Sequence, residues 1–140
     1  MRFCQKTEYA LKTLIDLAQH RDDGIASASA IARRQNIPVK FLEQILMPLR
    51  SADLITSKRG PKGGYHLTSD PEEITVGEIV RLSEGNGSSI AFAQDAPCAV
   101  RELWHEIDGA LDRKLNSVTI QDLVERTEEL ANSKEVSFVI

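Results

Sequence analysis

Between Ser57 and Leu67 the chain reads SKRGPKGGYHL, with three glycines and a proline among eleven residues. Backbone this rich in breakers cannot be a helix or a long strand. It can be the tip of a hairpin, with the short runs LITS (54–57) and YHL (65–67) as its two strands. Lys58, Arg59 and Lys62 surround that tip, where no packed core calls for them. Fixed positive charge on an exposed turn suits a negatively charged partner.

What precedes the hairpin narrows the fold. TEYALKTLIDLAQH brings Ala10, Leu11, Leu14, Ile15, Leu17 and Ala18 round at helical spacing behind Thr7 as N-cap, and Gly24 ends that helix. A short helix capped by Ser27 or Ser29 carries Ile31 and Ala32, and Gln35-Asn36 then turns the chain. Pro38 opens the next helix, where its missing N–H costs little. Phe41, Leu42, Ile45 and Leu49 make the expected buried stripe, and Pro48 is expected to kink or loosen the helix. Lys40, Glu43 and Gln44 fall outside the stripe. Two short helices joined by a tight turn, then a hairpin, make a winged helix-turn-helix with a basic wing.

Downstream, EITVGEIV contains a capping box from Thr75 to Glu78. Gly85 and Gly87 lack the later glycine and strand context of a phosphate-binding turn. From Ala99 onward, Val100, Leu103, Trp104, Ile107, Ala110, Leu111, Leu115 and Val118 recur every three or four residues. Such a stripe, on a helix too long for a small domain to cover, needs a second chain over it. Leu103, Trp104, Ile107 and Leu111 are the candidate dimer seam. A last helix restarts at Thr119, and SKEVSFVI reads as a tail. The expected fold class is therefore mainly α with a small β-hairpin wing, plus a long dimerisation helix. Its parts are 1–84 for the winged helix, 85–98 for a loop, 99–131 for the dimerisation helices and 132–140 for the tail.

Charge supports a polyanion partner. Residues 1–66 hold 11 Lys and Arg against 6 Asp and Glu, a balance of +5, whereas residues 67–140 hold 6 against 15, a balance of −9. The two cysteines, Cys4 and Cys98, are too few for a disulfide framework, and no leader or long apolar run is present, so a cytoplasmic protein without a membrane partner is expected. Cys98 and His105 lack a third, orienting acid, so no enzyme is expected. A winged helix that docks an acidic protein instead of DNA is the alternative of another class.

KTEYALKTLIDLA, IARRQNIPVKFLEQIL, RGPKGGYHL, EITVGEIV and the final C…LW…SVTIQDL, in this order over about residues 1–125, resemble the Rrf2-type family of bacterial winged-helix repressors. The resemblance implies a homodimer on a double-stranded DNA operator, with a recognition helix in the major groove and the wing in the minor groove. By position it implies Lys40, Glu43 and Gln44 as base-reading candidates and Arg59 in the wing. Their chemistry agrees: Gln pairs with adenine, Glu accepts from cytosine N4, and Arg fits a narrow minor groove. Lys40, Lys58 and Lys62 would serve phosphates. Cluster-binding members carry three cysteines in the loop before the long helix. Here only Cys98 remains of the three, and Arg101 stands where some members have a histidine ligand. No cofactor is favoured on this pattern. The alternative is an atypical iron–sulphur or thiol site that joins Cys98 to Glu8 or Cys4 of the other chain. Otherwise the effector is a regulatory protein or a small molecule.

Overall fold

The computed structural model describes residues 4–84 and 98–139. The order is α1 (Gln5–Gln19), a single 3-10 turn (Arg21–Asp23), α2 (Ala28–Gln35), α3 (Val39–Ser51), β1 (Ile55–Lys58), β2 (Gly64–Leu67), α4 (Val76–Glu84), α5 (Ala99–Ser117) and α6 (Ile120–Val139). This is the expected winged helix-turn-helix with two further helices. The backbone stays helical through Val139, across much of what the sequence reads as a tail. The loop expected from Gly85 onward lies outside the described residues as far as Pro97.

α1 is the hub, packed against α2, α3, α4 and α6. Leu14, Ile31, Leu42, Leu46, Leu49, Ile55, Ile74, Ile79 and Ile120 are fully buried around it. Ile55 and Leu67, directly opposite each other in the antiparallel hairpin, fasten the wing to this core. β1 runs one residue later than expected and β2 begins one residue earlier, where Gly64 pairs with Lys58, while β2 ends at Leu67 as expected. Tyr65 also exchanges both backbone hydrogen bonds with Ala26, at 2.9 and 2.7 Å. That one-residue bridge was not legible in the sequence. It also accounts for Gly64, where a Cβ would run into the Ala26 carbonyl.

Two expectations about the helices change. Thr7 is not the N-cap of α1, which begins after Cys4. Thr7 is buried in the first turn, and its hydroxyl meets Ser83 Oγ at 2.6 Å and Glu84 Oε1 at 3.0 Å. The Cys4 N–H donates to the same Glu84 oxygen at 2.7 Å. A carboxylate from the end of α4 thus serves the start of α1, which a local cap would otherwise do. Phe41 is not in the buried stripe of α3. It is 50% exposed and leans on Tyr9, with ring centroids 6.4 Å apart, while Leu46 takes the buried place. α3 also remains helical through Pro48 to Ser51, and the Pro48 carbonyl accepts from Ala52 at 3.0 Å. The helix is held on both sides of the proline by buried Leu46 and Leu49.

The two C-terminal helices are stitched to the core at one point. Val76 N–H donates to the Val118 carbonyl and Ile120 N–H to the Ile74 carbonyl, both at 2.8 Å. Thr119 and Asp122 form a reciprocal capping box at 2.9 and 3.1 Å beside the Thr75–Glu78 box, where the Glu78 N–H reaches Thr75 at 3.1 Å. Ile120 and Val124 then bury the first turns of α6.

A buried ion pair joins α1 to α2. Asp16 is fully buried, and Arg34 grips it with two bonds of 2.9 and 2.7 Å, joined by Gln35 Nε2 at 3.0 Å. The bond to Asp16 raises the Arg34 pKa above its ordinary value, against some desolvation. Arg34→Ala strands a buried carboxylate and is expected to cost about 3–5 kcal/mol. Asp16→Asn should cost less, because the Arg34 side chain, 30% exposed, can turn to water. Urea unfolding of both variants checks the order, and equal losses would show that burial of the carboxylate is not the source.

The Cys4 N–H bond, the largest cause, lowers the Glu84 pKa; desolvation opposes it, and bonds from the Cys4 and Thr7 side chains assist. A carboxyl lowered in the fold stabilises it above the ordinary carboxylate range and loses that effect as pH falls through the lowered value. Glu84→Gln should therefore be less stable than the parent at neutral pH and converge with it in acid. Unfolding curves at the two pH values read this directly, and a constant difference across pH would exclude the charge as the cause.

Candidate nucleic-acid interface

The turn that aims α3 is built from local chemistry. Ser27 caps α2 by accepting the Ala30 N–H at 3.1 Å, as one of the two expected serines. Asn36 closes α2 in the left-handed region, φ 53° and ψ 49°, a conformation asparagine tolerates. Pro38 then occupies the N-cap of α3 with no side-chain cap bond. The first-turn N–H groups of α3 are therefore not served by a capping side chain, which favours an anion there.

Successive residues of a helix step by about 100°, so Leu42, Ile45, Leu46 and Leu49 occupy one buried arc of α3. Lys40, Glu43 and Gln44 lie on the opposite arc, and all three are exposed. Lys58, Arg59 and Lys62 are exposed around the hairpin tip. Gly60 turns that tip at φ 115°. Arg50 Nη1 donates to Ser57 Oγ at 3.2 Å and ties the end of α3 to the wing. Among the described residues, no carboxylate lies within ion-pair distance of Lys40, Lys58, Arg59 or Lys62. Four cations on two linked elements are thus left to solvent, a footprint suited to phosphates.

The α5 stripe is uncovered within the chain. Val100, Leu103 and Ile107 are 56, 53 and 37% exposed, Trp104 and Leu111 are half-buried, and no residue of α5 is buried.

The cysteine positions have local roles. Cys98 is exposed and caps α5, its sulphur accepting the Arg101 N–H at 3.4 Å. Cys4 is exposed at the N-cap of α1, with its sulphur 3.3 Å from the Thr7 hydroxyl. Glu8 is exposed and pairs with Lys12 at 3.6 Å. Among the described residues, no three His, Cys, Asp or Glu side chains gather into a group that could hold a metal ion. The donors one chain offers do not fit an iron–sulphur cluster, which takes four ligands, mostly thiolates.

The Asp16–Arg34 pair, which sets the angle between the first helices, was missed by sequence reading. Its signal was an aspartate on the buried face of α1, between Thr13, Leu14 and Leu17.

Residues 3–126 match the Rrf2 family, described as an iron-dependent transcriptional regulator. The chain is 40% identical to the HTH-type transcriptional regulator CymR of Bacillus subtilis (strain 168), over 91% of this chain and 93% of CymR. The solved structure of CymR, described as the global cysteine regulator of B. subtilis, aligns with a TM-score of 0.82 at 39% identity, covering 90% of this chain and 98% of that one. The structure of T. potens IscR aligns with a TM-score of 0.79 at 32% identity, covering 93% of this chain and 90% of IscR. No helix among the described residues is long and apolar enough to cross a membrane.

Cys98→Ser replaces a weak sulphur acceptor with a strong oxygen cap. The variant is expected to keep its melting temperature or gain up to about 1 kcal/mol. A clear loss on thermal unfolding would mean that the thiol has a partner beyond the cap.

Proposed function

This chain belongs to the Rrf2 family of DNA-binding transcription regulators, and on that footing we propose that it is a cytoplasmic, homodimeric, sequence-specific repressor. The observation that carries the reading is the placement of exposed Lys40, Glu43 and Gln44 on one arc of α3 beside a wing bearing Lys58, Arg59 and Lys62. α3 enters the major groove, where Gln44 pairs with adenine and Glu43 accepts from cytosine. Arg59 enters the minor groove, while the lysines hold phosphates and fix register. Two copies meet along α5 through Leu103, Trp104, Ile107 and Leu111, which places two such units on one operator. The effector is a regulatory protein or small molecule and acts without a cluster held by one chain. That view rests on the two cysteines of the sequence and on the capping role of Cys98.

Arg59→Ala is expected to weaken operator binding by about 1–3 kcal/mol while leaving random DNA little changed. Lys62→Ala should weaken every duplex alike and reduce the salt slope by about one counterion. Gel shifts on the promoter region over a salt series measure both. Equal losses on operator and random DNA for both variants would reduce Arg59 to a phosphate contact, and no shift at low salt would remove the DNA reading. Light scattering gives the assembly state, and a monomer at micromolar concentration would refute the α5 seam.

A further inference from the structure

Met47 is 66% exposed, more than Phe41 at 50% or Val39 at 44% on the same helix. It lies within the outward arc of α3, one turn beyond Glu43 and three residues beyond Gln44. The other two exposed apolar residues of α3 sit at the edges of that arc. Phe41 leans on Tyr9, and Val39 stands at the first position. Met47 thus places an unbranched, polarisable apolar chain amid polar groups on the face assigned to base reading.

We infer that Met47 packs against the C5-methyl group of a thymine in the bound duplex, so that α3 reads its site by apolar contact as well as by hydrogen bonds. The inference rests on the proposal that α3 is the recognition helix. In the major groove the thymine methyl is the apolar feature that distinguishes one base from the others. Met47 lies about 6 Å along the helix axis from Glu43, close to two base-pair steps, so both can reach bases of one half-site. Charge selects the occupant. Lys40 shares the arc, Arg50 lies one turn further on, and the three wing cations stand beside the helix. Glu43 is the single acid on α3. That balance favours a polyanion carrying methyl groups over an acid-poor protein surface.

The test begins with duplexes selected from a random pool by the intact protein. Each thymine of the selected site is then replaced by deoxyuridine, which removes the methyl and leaves every hydrogen-bonding group. At least one replacement should lower wild-type affinity about fourfold, the effect of withdrawing one methyl from water. Met47→Ala should bind the thymine duplex more weakly by a similar factor and show no further loss at that position, as coupled groups do. Met47→Leu should keep most of the sensitivity. Thermal unfolding confirms that the variants fold, as expected for so exposed a side chain.

A flat response to every deoxyuridine, or an equal penalty in Met47→Ala, overturns the inference while leaving DNA binding intact. A pool that enriches no sequence overturns the sequence-specific reading, and the inference falls with it. A Met47→Ala defect in capturing a protein partner, without any deoxyuridine effect, assigns the side chain to a protein contact and also overturns it.

Discussion

The carboxylate of Asp16 sits in the last turn of the hub helix, cut off from water, and is held there by the Arg34 guanidinium and the Gln35 amide. A buried charge costs several kcal/mol unless its partners are well aligned, so this pair tolerates few alternative arrangements of α1 and α2. α2 in turn carries the Asn36 turn into α3. The direction in which Lys40, Glu43 and Gln44 point therefore depends on an ion pair outside α3, at the end of α2. A purely apolar contact between α1 and α2 would bury as much surface but would permit sliding, because packing of similar side chains is less directional than a two-bond ion pair.

Much of the architecture was legible because each local signal agreed with the others. Ser27, Asn36 and Pro38 each mark one boundary, and the glycines around Lys62 leave the chain no choice but a turn. What escaped notice depends on residues distant in sequence. Thr7 has the chemistry of an N-cap, yet Glu84, 77 residues away, supplies the oxygen and frees Thr7 for burial. Phe41 and Leu46 both suit a helix stripe, and only the position of α1 decides which of them is covered. The Ala26–Tyr65 bridge is a single residue of strand, too short for any periodicity.

The interface candidates were legible for a different reason. Cations at a glycine-rich tip, and polar residues opposite an apolar stripe, have no role in folding, so their positions can be read without the tertiary structure. Met47 was passed over because it resembles a core residue in type. Only its place on the outward arc shows that the core does not use it. The acidic second half of the chain adds a sorting effect: α5 and α6 would repel phosphates, which leaves the α3 and wing surface as the favourable approach for DNA.

The stitching of Val76 to Val118 and Ile120 to Ile74 also makes α5 a lever. Its C-terminal end is pinned beside the core, while Cys98 begins the other end, about 27 Å away along a rigid helix. A tilt of one degree about the pin moves the Cys98 end by about 0.5 Å, yet barely shifts Leu115 or Val118. Force applied near Cys98 is thus delivered as torque at the point where α4 and α6 both begin, next to the hub helix that orients α3.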